Sequence, residues 1–161
     1  MAQNVTDNGI GSTPAQAQAI IAAAEAKAET VVPQNIAIVD PSGLLVAFLR
    51  MDNAYPGSID ISIKKARTSV LFNGITSASL YNSSIPGGPL YGKPNAMHNS
   101  RTPLRRYATG IEETNGGLVV FGGGLPLYKD GFLLGAIGVS GGTVPQDVEV
   151  ATAGVDFFTS S

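Results

Sequence analysis

The sequence predicts one α+β domain in which antiparallel hairpins pack against amphipathic helices. Three observations carry that expectation. Two pairs of apolar, β-prone runs flank short turn sequences, Asp40-Pro41-Ser42-Gly43 and Asp130-Gly131. Three other stretches repeat apolar residues at helical spacing. The elements run helix, hairpin, helix, long connection, strand, hairpin, helix, with hairpins where a parallel sheet would need βαβ crossovers.

Residues 1–12 are polar and contain glycine, so they read as a flexible arm, and residues 13–161 make the domain. Thr13-Pro14 opens the first helix, with Thr13 as N-cap and Gln16 completing a capping box. Ala17, Ile20, Ile21, Ala24 and Ala28 form its narrow apolar face. Ile36–Val39 and Leu44–Met51 form the first hairpin. A second helix follows Gly57-Ser58, with Ile59, Ile63, Ala66 and Val70 on one face, and stops near Asn73-Gly74. After a Gly/Pro-rich stretch from Ser83 to Pro94, Leu118–Phe121 begins a second strand group, interrupted by Gly122-Gly123-Gly124. Leu125–Lys129 and Phe132–Val139 form the second hairpin, and the runs together predict a sheet of about five strands. The last helix starts near Thr143, with Pro145 and Asp147 in its first turn and Val148, Ala151, Val155 and Phe158 on its face.

Composition narrows the function classes. With 161 residues the chain is long enough to bury a proper core as one domain. Only 14% of residues are charged against 43% hydrophobic, which suggests that part of the surface is covered, most simply by copies of the same chain. The absence of cysteine excludes disulfides, thiolate metal sites and thiol nucleophiles. A net charge of −2 gives no reason to expect nucleic acid or an anionic membrane. No run approaches the length that crosses a bilayer, and Met1 to Gly11 lacks the basic start and apolar centre of a signal peptide. A cytoplasmic location is the expectation.

Charge is unevenly distributed. Between Ile61 and Ile111 there is no acidic residue, whereas Lys64, Lys65, Arg67, Lys93, Arg101, Arg105 and Arg106 all fall there. The remainder holds three bases against twelve acids. Two readings stand: an anion site, because guanidinium forks match carboxylates and phosphates, or a basic stretch packed on the acidic remainder within or between subunits.

Two glycine loops, Gly122-Gly123-Gly124-Leu125-Pro126 and Gly138-Val139-Ser140-Gly141-Gly142, match neither a P-loop nor a dinucleotide fingerprint. The second leads into a helix whose free N–H groups could receive an anion, although Asp147 and Glu149 already supply negative charge there. Tight turns with close packing explain both loops without a ligand. His98 is the only histidine, which leaves Ser-His-Asp and multi-histidine metal sites incomplete. Its near-neutral titration makes it the best single acid–base group or axial iron ligand in the chain, against the plainer reading of a solvated loop histidine. Tyr55, Tyr81, Tyr91 and Tyr107 could stack on a planar ligand, ligate iron or cap a core edge, and Glu112-Glu113 could pair with the basic segment or move a proton.

Several of these motifs together resemble a known family. Lys64-Lys65-Ala66-Arg67-Thr68 within Gly57–Asn73 is followed by Pro86-Gly87-Gly88-Pro89-Leu90-Tyr91-Gly92. Gly116-Gly117-Leu118 runs through Phe121-Gly122-Gly123-Gly124-Leu125-Pro126-Leu127 to Asp130-Gly131. Gly135-Ala136-Ile137-Gly138-Val139-Ser140-Gly141-Gly142 then leads to Gln146-Asp147 and Ala151, and Val39-Asp40-Pro41-Ser42-Gly43 with Arg50-Met51-Asp52 fits as well. From about Thr13 to Phe158 the chain resembles the heme-binding proteins named for GlcG and HbpS. That resemblance implies a profilin-like α+β fold with a central antiparallel sheet, assembly into homo-oligomers, and heme binding or heme breakdown in some members. One departure stands out: Lys93–Gly110 separates Tyr91-Gly92 from Ile111-Glu112-Glu113-Thr114-Asn115-Gly116-Gly117, where the family's Leu-Tyr-Gly subgroup usually joins them almost directly. This insertion, residues 93–110, holds His98, Arg101, Arg105 and Arg106, and no position matched to the family's heme ligands is histidine.

The expected protein is therefore a small-ligand binder, with an anionic ligand and a homo-oligomeric state. Heme is the cofactor that the resemblance implies, and His98, from this chain's own residues, is the candidate iron ligand only if heme is bound. The alternatives are a cofactor-free isomerase, cyclase or lyase acting on a small carboxylated or aromatic metabolite, and a non-catalytic oligomeric scaffold. His98 and Glu112 are the candidates for proton transfer. Lys65, Tyr91, Arg101, Arg105, Gly123, Gly124, Ser140 and Gly141 are the candidates for ligand binding.

Overall fold

A computed structural model describes residues 13–85, 88–89 and 111–161. Helix α1 (Pro14–Ala28) leads to strands β1 (Asn35–Val39) and β2 (Leu45–Arg50), then to helix α2 (Ser58–Leu71). A 3-10 turn at Ser77–Leu80 runs into the single turn α3 (Tyr81–Ser84). A second 3-10 turn begins at Ile111, followed by β3 (Gly124–Lys129), β4 (Phe132–Ser140) and α4 (Val144–Ser160).

The described strands form one antiparallel sheet in the order β2-β1-β4-β3. It has four strands, not the five expected. The run Leu118–Phe121 is the difference. Its amides bond elsewhere than to a strand: Leu118 N–H donates to the Glu112 carbonyl at 2.7 Å and Val119 N–H to Thr68 Oγ1 on α2 at 3.2 Å. The turn through Gly123, at φ +114°, then resets the chain, and pairing starts only at Gly124. Both hairpin turns form where their residues predict. Asp40 Oδ1 accepts the N–H groups of Ser42 and Leu44 at 2.8 and 2.9 Å, and Asp130-Gly131 supplies the two positive-φ residues that a two-residue hairpin needs.

Strand β1 is fully buried because helices cover both sheet faces. On one face, Ile36, Ile38, Leu127, Ile137 and Val139 meet α1 and α4. On the other, Val39 and Ala136 meet Ala66 and Val70 of α2. Gly124 and Gly138 are cross-strand partners, and both lie under the α2 main chain. A Cβ at Gly138 would collide with the Ser62 carbonyl, and one at Gly124 with the Lys65 carbonyl. Close approach of this kind selects a small, polar helix face. α2 accordingly buries Ser58, Ser62, Lys65, Thr68 and Ser69 with Ala66 and Val70, and leaves Ile59 and Ile63 half-buried. The capping box expected at Thr13 does not form, since the Thr13 hydroxyl turns to the Gln16 side chain. A capping box does form between Thr143 and Gln146 at the start of α4.

Candidate functional site

The two glycine loops meet beside the N-terminus of α4, and Lys65 lies between them. Its aliphatic stem leaves the sheet-facing side of α2 and carries the ammonium past the point where β3 begins, toward the other helical layer. There Nζ donates to the Val139 carbonyl at 2.9 Å and to Asp147 Oδ2 at 2.6 Å. The Phe121 ring centroid lies 4.7 Å away. Asp147 Oδ1 accepts the Gly142 N–H at 2.9 Å, so one carboxylate ties α2 to the loop that starts α4. Burial pushes the Lys65 ammonium below its ordinary value of 10.5, while the hydrogen bond and charge of Asp147 act in the opposite direction.

The loop Phe121–Gly124 is held at its ends. Ser77 Oγ donates to the Phe121 carbonyl at 2.7 Å and accepts the Gly124 N–H at 2.9 Å, and Val139 N–H donates to the Gly123 carbonyl at 2.8 Å. Between these anchors, a Cβ at Gly122 would fall 2.9 Å from Val148, 3.0 Å from Val144 and 3.9 Å from Ala78. Phe121 and Val144 are 37% and 42% exposed, and Ala78 is exposed, so the loop ends in an apolar surface directly outside the buried ion pair.

A second polar group lies at the far side of the Ser140–Gly142 loop. Gln34 and Asn35 are fully buried at the start of β1, and Asn35 Nδ2 donates to the carbonyls of Tyr55 at 3.0 Å and Ser140 at 3.4 Å. Among the described residues, neither polar atom of the Gln34 amide has a partner.

Of the residues singled out from the sequence, Lys65, Gly123, Gly124, Ser140 and Gly141 converge on this junction, and all are buried. Lys65, expected to offer its charge to a ligand, instead turns inward and spends it on Asp147, which puts this residue with the packing reading of the basic segment. The physical reason is the low seat of α2 on its glycine floor, which directs the side chain into the interior. Glu112 lies apart, exposed in the 3-10 turn that begins at Ile111. His98, Tyr91, Arg101 and Arg105 fall outside the described residues, as do the arm 1–12 and the insertion 93–110. Among the described residues no group of three or more His, Asp or Glu side chains could hold a metal ion, and no helix is long and apolar enough to cross a membrane.

The sequence reading missed Asp147 as the partner of Lys65, together with Ser77 and Phe121. Asp147 carried a signal, because it shares helical spacing with Val150, Ala151, Gly154 and Phe158, the face that α4 buries. An acid on a buried face calls for a buried base.

Known proteins share this architecture. The chain is 37% identical over 149 residues to an uncharacterised 15.0 kDa protein in the dhaT-dhaS intergenic region of Citrobacter freundii, covering 91% of this chain and 92% of that one. It is 35% identical over 127 residues to the corrinoid adenosyltransferase PduO of the same organism, covering 79% of this chain but only 32% of PduO. Among solved structures, a PduOC:heme complex superposes with a TM-score of 0.69 at 28% identity, covering 89% of this chain and 91% of that one. The family model described as haem degrading protein HbpS-like matches residues 13–156. This chain belongs to the HbpS-like family.

Proposed function

We propose that this protein binds heme. The observation that carries the reading is the fold shared with the PduOC domain, seen in complex with heme, across nearly the whole of both chains. Adenosyl transfer is not carried over with it, since the match spans about a third of PduO.

The described residues fit a tetrapyrrole macrocycle better than they fit its iron. Phe121, Val144 and Ala78 form an apolar surface around the place a Gly122 Cβ would fill, which suits a flat hydrocarbon face. For the iron, the described part of the chain has no histidine, and His98 is the one residue of that type in the sequence. His98 is accordingly the residue proposed to hold the iron, through an imidazole nitrogen. Arg101 and Arg105 are proposed to pair with the propionates, where a guanidinium fork gains two parallel hydrogen bonds per carboxylate, and Tyr91 to flank the ring. Bound heme supplies the redox-active iron. Glu112, exposed at the edge of the segment that holds these residues, is the carboxylate proposed to accept or return a proton.

Heme titration followed in the visible spectrum tests the reading. The expected result is a saturable Soret shift at low micromolar heme, lost or moved in His98→Ala and weakened in Arg105→Ala. A flat titration of the wild type refutes heme binding, and an unaltered spectrum in His98→Ala refutes this choice of ligand.

A further inference from the structure

The Phe121 ring has two unlike sides. Behind it lies the Lys65 ammonium, 4.7 Å from the centroid and closed to solvent. Lys65 is closed to solvent whereas Phe121 is 37% exposed, so the residue reaches from the buried cation to the surface. A cation held over one face draws π density toward itself and leaves the opposite face electron-poor. An electron-poor ring face prefers an electron-rich π system to water or to an aliphatic group.

The surroundings make this a fixed surface. The Phe121 carbonyl is held by Ser77 and the cation by Asp147 and Val139, so neither the ring's attachment nor its charged backing is free to move. Gly122 adds no side chain beside the ring, and the neighbouring Val144, Val148 and Ala78 carry no charge. We infer that Phe121, backed by Lys65, is a stacking platform for a flat, electron-rich aromatic ligand lying across Gly122 toward Val144. This rests on the heme reading and adds to it the face against which the macrocycle lies, independent of how the iron is held.

Iron-free protoporphyrin IX is the probe, because it keeps the π system and the propionates and removes the metal. Fluorescence titration should give saturable binding to the wild type. Phe121→Leu, which keeps apolar bulk but not the ring, should bind about tenfold more weakly, whereas Phe121→Trp should bind at least as tightly. Phe132→Leu, at a ring 69% exposed elsewhere on the surface, should leave the affinity unchanged. The affinity ratio of Trp to wild type serves if the Leu variant fails to fold. Wild-type affinity in Phe121→Leu, a loss in Phe121→Trp equal to that in Leu, or no porphyrin binding at all overturns the platform. The hemin Soret shift reports separately. A shift that persists alongside an indifferent Phe121 leaves heme binding standing without this face. Porphyrin binding that depends on Phe121, without a hemin shift, keeps the face and removes the iron ligand.

Discussion

The Lys65 ammonium and the Asp147 carboxylate meet at 2.6 Å, with side chains 0% and 3% exposed, and join helices that lie on opposite faces of the sheet. Removing one partner leaves a buried charge alone, which typically costs about 3–5 kcal/mol, whereas replacing both by apolar groups of similar size is often neutral or stabilising. Asp147→Ala is therefore expected to lower the unfolding free energy by about 3–5 kcal/mol, and Lys65→Met/Asp147→Leu to recover most of that loss. Denaturant melts of the three proteins check this, and a double variant as unstable as the single one refutes it.

The same pair sets a pH dependence. Lys65 has a lowered value in the folded chain, so just below 10.5 the unfolded chain holds a proton that the native chain has begun to lose. Stability rises with pH wherever the unfolded state binds more protons, so this group contributes a rise across the window between its folded value and 10.5. The double variant lacks that contribution. Melts at a series of alkaline pH values should show the wild type gaining on it as pH rises through that window. A parallel course for the two proteins rules it out.

At the floor of α2, Gly138→Ala forces a methyl group into the Ser62 carbonyl, and overpacking of this kind costs about 1–3 kcal/mol or more. Gly124→Ala meets the Lys65 carbonyl and should behave alike. Gly57→Ala, with nothing within 4 Å of the added atom, is expected to be neutral or slightly stabilising. Equal melting temperatures for Gly138→Ala and Gly57→Ala would show that the helix can lift off its floor without cost.

Ser77→Ala removes the hydroxyl that serves both the Phe121 carbonyl and the Gly124 amide. Two main-chain groups are left without that partner in a buried loop, an expected loss of about 2 kcal/mol. Hydrogen exchange adds a local readout, in which the Gly124 amide should lose protection beyond the global change. Protection unchanged at that amide speaks against the anchoring role.

The hairpins and helix positions were legible because their signals are local. Asp40-Pro41-Ser42-Gly43 and Asp130-Gly131 dictate their own geometry, and the α1 face is as the spacing of Ala17, Ile20, Ile21, Ala24 and Ala28 implies. The buried face of α2 was not legible from apolar spacing, because what selects it is a pair of glycines on other elements, Gly124 and Gly138. Leu118–Phe121 looked like a strand by composition, yet its amides find Glu112 and Thr68, a choice fixed by tertiary position. At the site, the sequence marked the glycine loops and Lys65, but the inward turn of that lysine depends on a partner 82 positions away.

Because one lysine bridges the two helical layers, the burial of its charge depends on groups far apart in the chain. The groups that enclose it, Phe121, Gly123, Val139 and Asp147, all follow α2 in the sequence, so α2 resting on β1 and β2 alone leaves the ammonium without its enclosure. Disturbing that single carboxylate is therefore felt on both faces of the sheet at once.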